Sequence, residues 1–491
     1  MEFKTYASHD LPHARAIGVE SDREFGLSVL QRIDAEMSRR GELFRAQGVQ
    51  DLASYREAAG KSLPRTLLIV DEFQEFFSED DKLGQDAALL LDRLVRQGRA
   101  FGVHVVLGSQ TIAGSSGLSR STIGQVAVRI ALQTTEADSQ AVLADGNSAA
   151  RLLSRPGEAI YNDAGGLVEG NSPFQVAWLP DNQRDEYLDA VTQRHRTSGI
   201  AAPSAIVFEG NIPADIRKNP RLAAALDDRR IAVSPKIWLG EPVAIKEPTA
   251  VTFRRQSGSN VLLIGQAEEQ ALAIMAAGIV SLAGQQPAET AFYILDGSAA
   301  DSPSCGVLAT VAGMTPQHRK NVEYRNVPEA MNELAEELKR RQDDTAGNAP
   351  SIFVFILGLQ RYRVLRKSEE SFGFGGGDEQ AAPDPGKQFA ELLTEGPAVG
   401  IHVLAWVDTM VSAERAINRN LMREFDNRIL FQMSAADSSN LIDSPAANRL
   451  GACRALAYSE EQGTLEKFRP YAMPDAAFLT EALGGLASAE K

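Results

Sequence analysis

The sequence predicts an α/β protein of two tandem units, each built on a largely parallel sheet. Three observations predict it. Short apolar runs alternate with amphipathic stretches along most of the 491 residues, the pattern of strand–helix–strand crossovers. Several of these stretches recur, in the same order, in the second half of the chain. Hydrophobic residues make up 44 %, enough for sizeable cores.

The elements follow in order. Ser21-Asp-Arg-Glu24 reads as a capping box, and the helix it opens carries Leu30, Ile33, Met37 and Phe44 on one stripe. Strand Thr66–Val70 comes next, then a helix from about Gln85 to Arg96. A break at Gly98 and Gly102 leads into strand Val103–Leu107. From about Val176 to Ser259 the chain is punctuated by proline, with short runs at Lys236–Leu239 and Val243–Ile245, and reads as a connector and β lead-in. The second unit begins with strand Val261–Ile264 and a helix over about Glu268–Ala283. Strands Phe292–Leu295, Ile352–Leu357 and Ile401–Val407 follow. Phe372–Pro385, rich in Gly, Pro and acid, reads as a mobile loop. The expected domains are residues 1–180, a connector over 181–240, and residues 241–491.

The two units resemble each other. Gly102-Val-His-Val-Val-Leu107 matches Gly400-Ile-His-Val-Leu-Ala405, and Arg129-Ile-Ala-Leu-Gln133 matches Arg428-Ile-Leu-Phe-Gln432. Ala137-Asp-Ser139 matches Ala436-Asp-Ser438, and Glu36-Met-Ser-Arg-Arg40 resembles Glu337-Leu-Lys-Arg-Arg341. Four matches at a near-constant offset favour duplication over chance.

Composition narrows the function. Cys305 and Cys453, the only cysteines, lie far apart; they suggest neither a disulfide framework nor a zinc site, and fit a reducing cytoplasm. No apolar stretch is long enough to span a bilayer, and Met1–Tyr6 lacks the signature of a signal peptide. The net charge of −15 argues against a surface coated for nucleic acid, though not against a local basic groove or the pore of a ring.

Asp71-Glu72 closes an apolar strand, a placement that suits acids holding magnesium and polarising a water. An acid pair in such a place is often only a solvated turn. Here the neighbouring strand ends in Gly108-Ser-Gln110, whose glutamine suits sensing a phosphate, and the two together point to a nucleotide site. No working phosphate loop accompanies them. Gly60-Lys61-Ser62 has Tyr55 where the motif needs Gly, and Pro64 and a strand follow instead of a helix. Gly265-Gln266 opens a turn correctly placed between strand and helix, but Gln270, Ala271 and Leu272 replace Gly, Lys and Ser/Thr. Glu268 and Glu269 there would repel phosphate. Leu357 and Gly358 stand in the places of Asp71 and Glu72, and Asp408 in that of Gln110, so the second unit is expected to be catalytically dead.

These stretches resemble the FtsK/SpoIIIE branch of the HerA–FtsK motors. The likeness is carried by Glu2–His13, Glu36–Arg40, Leu67–Phe73, Arg99–Gln110 and Arg129–Gln133; it covers most of residues 1–165 and, more faintly, about 236–475. It implies two tandem RecA-like P-loop ATPase domains, the first truncated at its N-terminus, joined by a β-rich connector. It also implies that the chain starts after the phosphate loop, which an upstream segment or a partner chain would supply. Asp71 would then bind magnesium through water, Glu72 would activate the attacking water, and Gln110 would sense the γ-phosphate, with ATP and Mg2+ as cofactors. Arg129, or next Arg39 or Arg40, would reach a neighbour's nucleotide in a homo-hexamer; a purely structural Arg129 is the plainer alternative. The first expectation is a double-stranded DNA translocase. The family's Arg-Pro after the glutamine is Thr111-Ile112 here, and the loop to Ser121 holds one base, Arg120, which weakens DNA contact. The alternatives are a protein-translocating ATPase resembling the EccC motors of type VII secretion, which Trp238-Leu-Gly240 ahead of the degenerate turn suits, and a non-catalytic regulatory or substrate-binding fragment. The expected location is cytoplasmic, with membrane association through an upstream segment left open.

Overall fold

Two sheet systems of unequal completeness organise the chain. The computed structural model describes residues 3–9, 11–60, 62–112, 118–200, 205–344, 347, 349–366 and 384–487. The chain divides into two units, Met1–Gly210 and Asn211–Lys491. The boundary falls inside the stretch read as connector.

The first unit opens with α1 (Phe3–Ser8), β1 (Ala16–Val19), α2 (Arg23–Ala46) and α3 (Leu52–Ala59). Then come β2 (Thr66–Val70), α4 (Lys82–Phe101), β3 (Val103–Leu107) and α5 (Arg120–Gly124). β4 (Arg129–Leu132), α6 (Glu136–Val142), β5 (Glu158–Asn162), β6 (Ser172–Gln175), α7 (Asp181–Ser198) and β7 (Ile206–Glu209) complete it. Its strands form three separate sheets: β1 with β7, β2 with β3, and β4-β5-β6. β2 and β3 run parallel, with Val70 opposite Leu107. Leu30 and Met37 of α2 and Ala87, Leu91 and Leu94 of α4, spaced for one helical face, close on Leu68 and Val103.

The second unit holds α8 (Pro220–Asp228), β8 (Lys236–Pro242), β9 (Thr249–Thr252), β10 (Val261–Ile264) and α9 (Glu268–Ala283). Next are β11 (Ala291–Asp296), α10 (Val307–Gly313), β12 (His318–Asn321), α11 (Val327–Asp343) and β13 (Ile352–Leu357). α12 (Pro385–Glu395), β14 (Ile401–Val407), α13 (Met410–Ala416), α14 (Arg419–Met422) and β15 (Asn427–Leu430) follow. α15 (Ala435–Ile442), β16 (Ala455–Ser459), β17 (Thr464–Pro470) and α16 (Ala476–Ala487) end it. One sheet joins all ten strands in the order β12-β11-β13-β14-β10-β15-β16-β17-β8-β9. It is parallel from β12 to β15 and antiparallel beyond. Every residue of α9 from Ala271 to Ala283 is buried, as befits a helix that is apolar all round.

Several expectations need correction. α4 is longer than anticipated. Asp81 caps it by accepting from the Gly84 N–H at 2.8 Å, and Gly98 continues the helix, which ends at Gly102. Asp22, not Ser21, is the N-cap of α2, and its side chain makes no capping bond. The stretch from Val176 to Ser259 is not mainly β: it contains α7, β7 and α8, and its strands β8 and β9 belong to the second sheet. α7 buries none of its residues, so no apolar stripe announces it. The second lead-in strand is Thr249–Thr252, not Val243–Ile245. Most of Phe372–Pro385, Lys61, and residues 113–117 of the loop after Gln110 lie outside the described residues.

The repeat is structural as well as sequential. Buried Arg40 donates to Glu36, to the Phe101 carbonyl at 2.7 Å and to Thr66 Oγ1 at 3.0 Å, tying α2 to the end of α4 and the start of β2. Buried Arg341 donates to Glu337, to the Val399 carbonyl at 3.0 Å and to the Pro350 carbonyl at 2.7 Å, the same connections in the second unit. Hydrogen bonds from Arg39 and Arg340 are the main cause that lowers Glu36 and Glu337 to about 2. Removing Arg40 takes away its hydrogen bonds to the Phe101 carbonyl and Thr66 Oγ1, while Glu36 keeps Arg39. Arg40→Ala is therefore expected to cost about 3 kcal/mol in urea unfolding at neutral pH. Because both carboxylates are depressed, their stabilisation is complete above the ordinary glutamate value of about 4.5 and is lost as the pH falls toward about 2. The wild-type stability should decline through that window more steeply than that of Arg40→Ala.

Candidate functional site

In the first unit the β2–β3 ladder delivers three of the anticipated residues to one place. The Gly108 N–H donates to the Val70 carbonyl at 2.8 Å, and the Phe73 N–H donates to the Gly108 carbonyl at 3.2 Å. Asp71 and Glu72 are thereby held against the residues that follow β3. A Cβ on Gly108 would stand 3.0 Å from Asp71 Oδ1, so a larger residue there would push the carboxylate aside. Asp71 and Gln110 are exposed and Glu72 is half-buried.

Glu72 sits in the left-handed region, φ 51° and ψ 50°, at the start of a 3-10 turn over Phe73–Phe77. Gly358, its counterpart in the second unit, starts the turn Leu359–Arg361 at φ 79° and ψ 53°. The backbone at this corner favours glycine, and an L-residue costs about 1 kcal/mol there. The Glu72 carboxylate accepts from Gln74 Nε2 and, at 3.4 Å, from the Gln110 N–H. Ser109 Oγ donates to Gln74 Oε1 at 2.7 Å and holds that amide in place. The bond from Gln74 is the main reason the carboxyl lies below its ordinary range; Glu72 is thus ionised at neutral pH. Gln74 and Ser109 are members of the site that sequence reasoning did not single out. Gln74 had a signal, since Gln360 recurs at the matching position.

Arg129 lies elsewhere. Its guanidinium donates to the carbonyls of Leu143, Val126 (3.3 Å), Val142 (3.4 Å) and Ile123 (3.4 Å). Arg428 repeats the pattern on Phe425 (3.1 Å), Leu441 (2.7 Å) and Met422 (3.5 Å). Both arginines therefore tie the end of a helix to the start of a strand. Arg39 and Arg40 are engaged with Glu36.

The second unit places Gly265 and Gln266 between β10 and α9, where a phosphate cradle would stand. The turn is closed on itself: the Ala267 N–H donates to the Gly265 carbonyl at 2.9 Å, and Trp406 Nε1 donates to the same oxygen at 3.0 Å. Glu268 and Glu269 occupy the first turn of α9, and Glu268 pairs with Arg361 at 3.5 Å. A cavity of about 150 Å3 opens here, lined by Gln266, Ala267, Gln270, Phe431, Gln432 and Arg454 among others. That is below the roughly 300–1,000 Å3 of small-molecule sites. A triphosphate does not fit a turn with a spent N–H, no lysine and two acids. In the first unit the acids suit a hydrated magnesium ion, although no group of three or more metal-ligating side chains occurs among the described residues. No helix among the described residues is long and apolar enough to cross a membrane.

Two measurements test these assignments. Glu72→Gly should raise stability by about 1 kcal/mol in urea unfolding, because glycine relieves the left-handed corner. Titration calorimetry of the chain with ATP and magnesium should give no saturable heat up to about 1 mM, an affinity weaker than about −4 kcal/mol.

No protein-family model matches the chain. Curated proteins do. The DNA translocase FtsK of Campylobacter jejuni is 24 % identical over 250 residues, 48 % of this chain and 25 % of that protein. The FtsK of Lactococcus lactis is 28 % identical over 188 residues, 35 % of this chain and 23 % of that one. The ESX-4 secretion system protein EccC4 of Mycobacterium tuberculosis is 28 % identical over 267 residues, 53 % of this chain and 19 % of that protein. The chain thus spans about a quarter or less of the length of these relatives. Among solved structures, the cytoplasmic domain of the type VII secretion ATPase EccC of Thermomonospora curvata superposes with a TM-score of 0.57 at 20 % identity, covering 94 % of this chain and 55 % of that one. EssC ATPases 2 and 3 of Geobacillus thermodenitrificans give 0.54 at 14 % identity, covering 96 % and 84 %. The chain is thus similar in sequence to FtsK translocases and to EccC4, and shares its fold with the tandem ATPase domains of EccC and EssC.

Proposed function

We propose that the chain is part of an ATP-driven translocating motor in which the first unit carries the hydrolytic half of a nucleotide site and the second unit is non-catalytic. The observation that carries this reading is Glu72. A carboxylate is kept in a left-handed corner where the second unit has Gly358, and it is held ionised beside Asp71 and Gln110. Strain of this kind is retained where a side chain is needed.

In this reading Asp71 would hold a magnesium ion, and ATP with that ion would supply the transferable phosphoryl group. Glu72, ionised at neutral pH and held by the bond from Gln74, would accept a hydrogen bond from the attacking water and orient it. Gln110, whose N–H already reaches Glu72, couples the end of β3 to the γ-phosphate position. Arg129 is a structural clamp, so an arginine acting across a hexamer would come from another position. The second unit, with its closed turn, serves as a scaffold or a partner-binding module.

The substrate divides two readings. A polypeptide is favoured by the tandem arrangement: the superposition on EccC covers both units, and the EccC4 alignment spans more of the chain than either FtsK alignment reported above. Double-stranded DNA is favoured by the FtsK relatives themselves. ATP turnover by the longest natural polypeptide containing this chain is the test. Glu72→Gln should lower turnover by about 10²–10⁴-fold. Unchanged turnover removes the hydrolytic role. Stimulation by a secreted substrate's terminal peptide supports the polypeptide reading; stimulation by duplex DNA alone supports the other.

A further inference from the structure

The chain that leaves β3 is tied in two directions, and one hydroxyl stands between the ties. On one side lies Asp138, a buried residue of α6. Its Oδ1 accepts from Thr111 Oγ1 at 2.9 Å and from the Ile112 N–H at 2.8 Å. Its Oδ2 accepts from Thr135 Oγ1 at 2.7 Å, so the first turn of the helix fixes the carboxylate. On the other side Gln74 holds Glu72. An ionised carboxylate only accepts, so the amide turns Nε2 to Glu72 and Oε1 to Ser109. Ser109 Oγ is 2.7 Å from Gln74 Oε1 and also 2.7 Å from the Thr111 carbonyl oxygen. A hydroxyl has one proton, and both of these partners are acceptors. Ser109 can give a full bond to Gln74 or to Thr111, not to both.

The second unit keeps the frame of this arrangement and lacks the link. Gly102 and Gly400 set β3 against β14, which matches Ser109 to Val407 and Thr111 to Thr409. Val407 is buried and has no hydroxyl. Gln360 Oε1, the counterpart of the Gln74 oxygen, is buried with no hydrogen-bond partner among the described residues. Thr409 caps α13 instead: it donates to Ser412 Oγ at 2.9 Å and accepts from the Ser412 N–H at 3.2 Å. Asp437 accepts from Ser434 Oγ at 2.8 Å, as Asp138 does from Thr135, but among the described residues no bond joins it to Thr409 or Met410. The clamps of Arg129 and Ser139 do recur, as Arg428 and Ser438. The link is thus present where the chain has Glu72 and absent where it has Gly358.

We infer that Ser109 is a positioning residue that couples the segment after β3, anchored on Asp138, to the Glu72 carboxylate. When the Thr111 carbonyl takes the Ser109 proton, Gln74 Oε1 loses its donor and the amide holds Glu72 less firmly. When Gln74 takes it, the grip on Glu72 tightens and Thr111 is held by Asp138. A shift of Thr111 or Ile112 against α6 changes which acceptor is nearer, and the acid follows. Such a shared proton is a two-state element that both sides can bias. The coupling rests on these bonds alone; its bearing on hydrolysis rests on the reading of Glu72 proposed above.

Hydrogen exchange of the 491-residue chain, read by mass spectrometry, tests the coupling. Thr111→Val removes the side-chain bond to Asp138 and should quicken exchange locally at Ile112. It should also quicken exchange remotely, by about threefold or more, over Phe73–Phe77, the turn that Glu72 starts. In Ser109→Ala the remote effect of Thr111→Val should vanish while the local one stays, a non-additivity that two unconnected losses do not produce. Gln74→Leu cuts the same link from its other end and should give the same result. Ser109→Thr, which keeps the hydroxyl, should restore the remote effect. A remote effect that persists in both Ser109→Ala and Gln74→Leu would overturn the inference, and so would its absence from the chain with Ser109 intact. ATP turnover by the longest natural polypeptide containing this chain separates the coupling from the hydrolytic role. Turnover unmoved by Glu72→Gln would remove that role and leave a positive exchange result standing. Exchange without the remote effect would sink the coupling even where Glu72→Gln abolishes turnover.

Discussion

The parallel pairing of β2 with β3 is the constraint on which the candidate site depends. It carries the chain to one edge, where the Gly108 N–H meets the Val70 carbonyl and the Gly108 carbonyl meets the Phe73 N–H. Between those two bonds the backbone has no freedom to place Asp71 and Glu72 anywhere but beside Ser109 and Gln110. The turn that results is left-handed at Glu72 and settles the carboxylate on Gln74 and the Gln110 N–H. Position and ionisation of the acid thus follow from one ladder.

The second unit separates scaffold from chemistry. The guanidinium bridges of Arg40 and Arg341, the carbonyl clamps of Arg129 and Arg428, and the buried hydroxyls of Ser139 and Ser438 appear in both units. Each hydroxyl donates to the carbonyl of a following loop and accepts from an N–H three residues beyond it. These bonds hold helices to strand ends and are indifferent to what a cleft binds. The groups that differ are those at the mouth of the cleft: Leu357, Gly358 and Asp408 for Asp71, Glu72 and Gln110. The exchange follows burial: Leu357 joins the core of the second unit, whereas Asp71 is exposed in the first.

Contrast in burial carries the rest of the account. α9 is enclosed on every side, and its length of apolar residues leaves it no solvent face. In the first unit Leu67, Ile69, Val106, Ile130 and Leu132 stand in solvent, where each gains nothing from the hydrophobic effect.

The sequence by itself determined the strands that the site uses. Thr66–Val70, Val103–Leu107, Ile352–Leu357 and Ile401–Val407 are largely β-branched and apolar runs, interrupted only by His104 and His402 and each followed by Gly or acid, and such runs read as strands. It also determined the repeat and the acid–glutamine pairing across β2 and β3, because position in a parallel crossover is read from order. Helix α7 and the true cap of α2 were not legible, since a helix without an apolar stripe and a cap whose side chain makes no capping bond leave no pattern. Only the tertiary structure showed which carbonyls Arg129 bonds, that Gln74 holds Glu72, and that the Gly265 turn is closed by its own backbone. Those outcomes depend on carbonyls and N–H groups brought together from distant segments, and backbone groups carry no identity in a sequence.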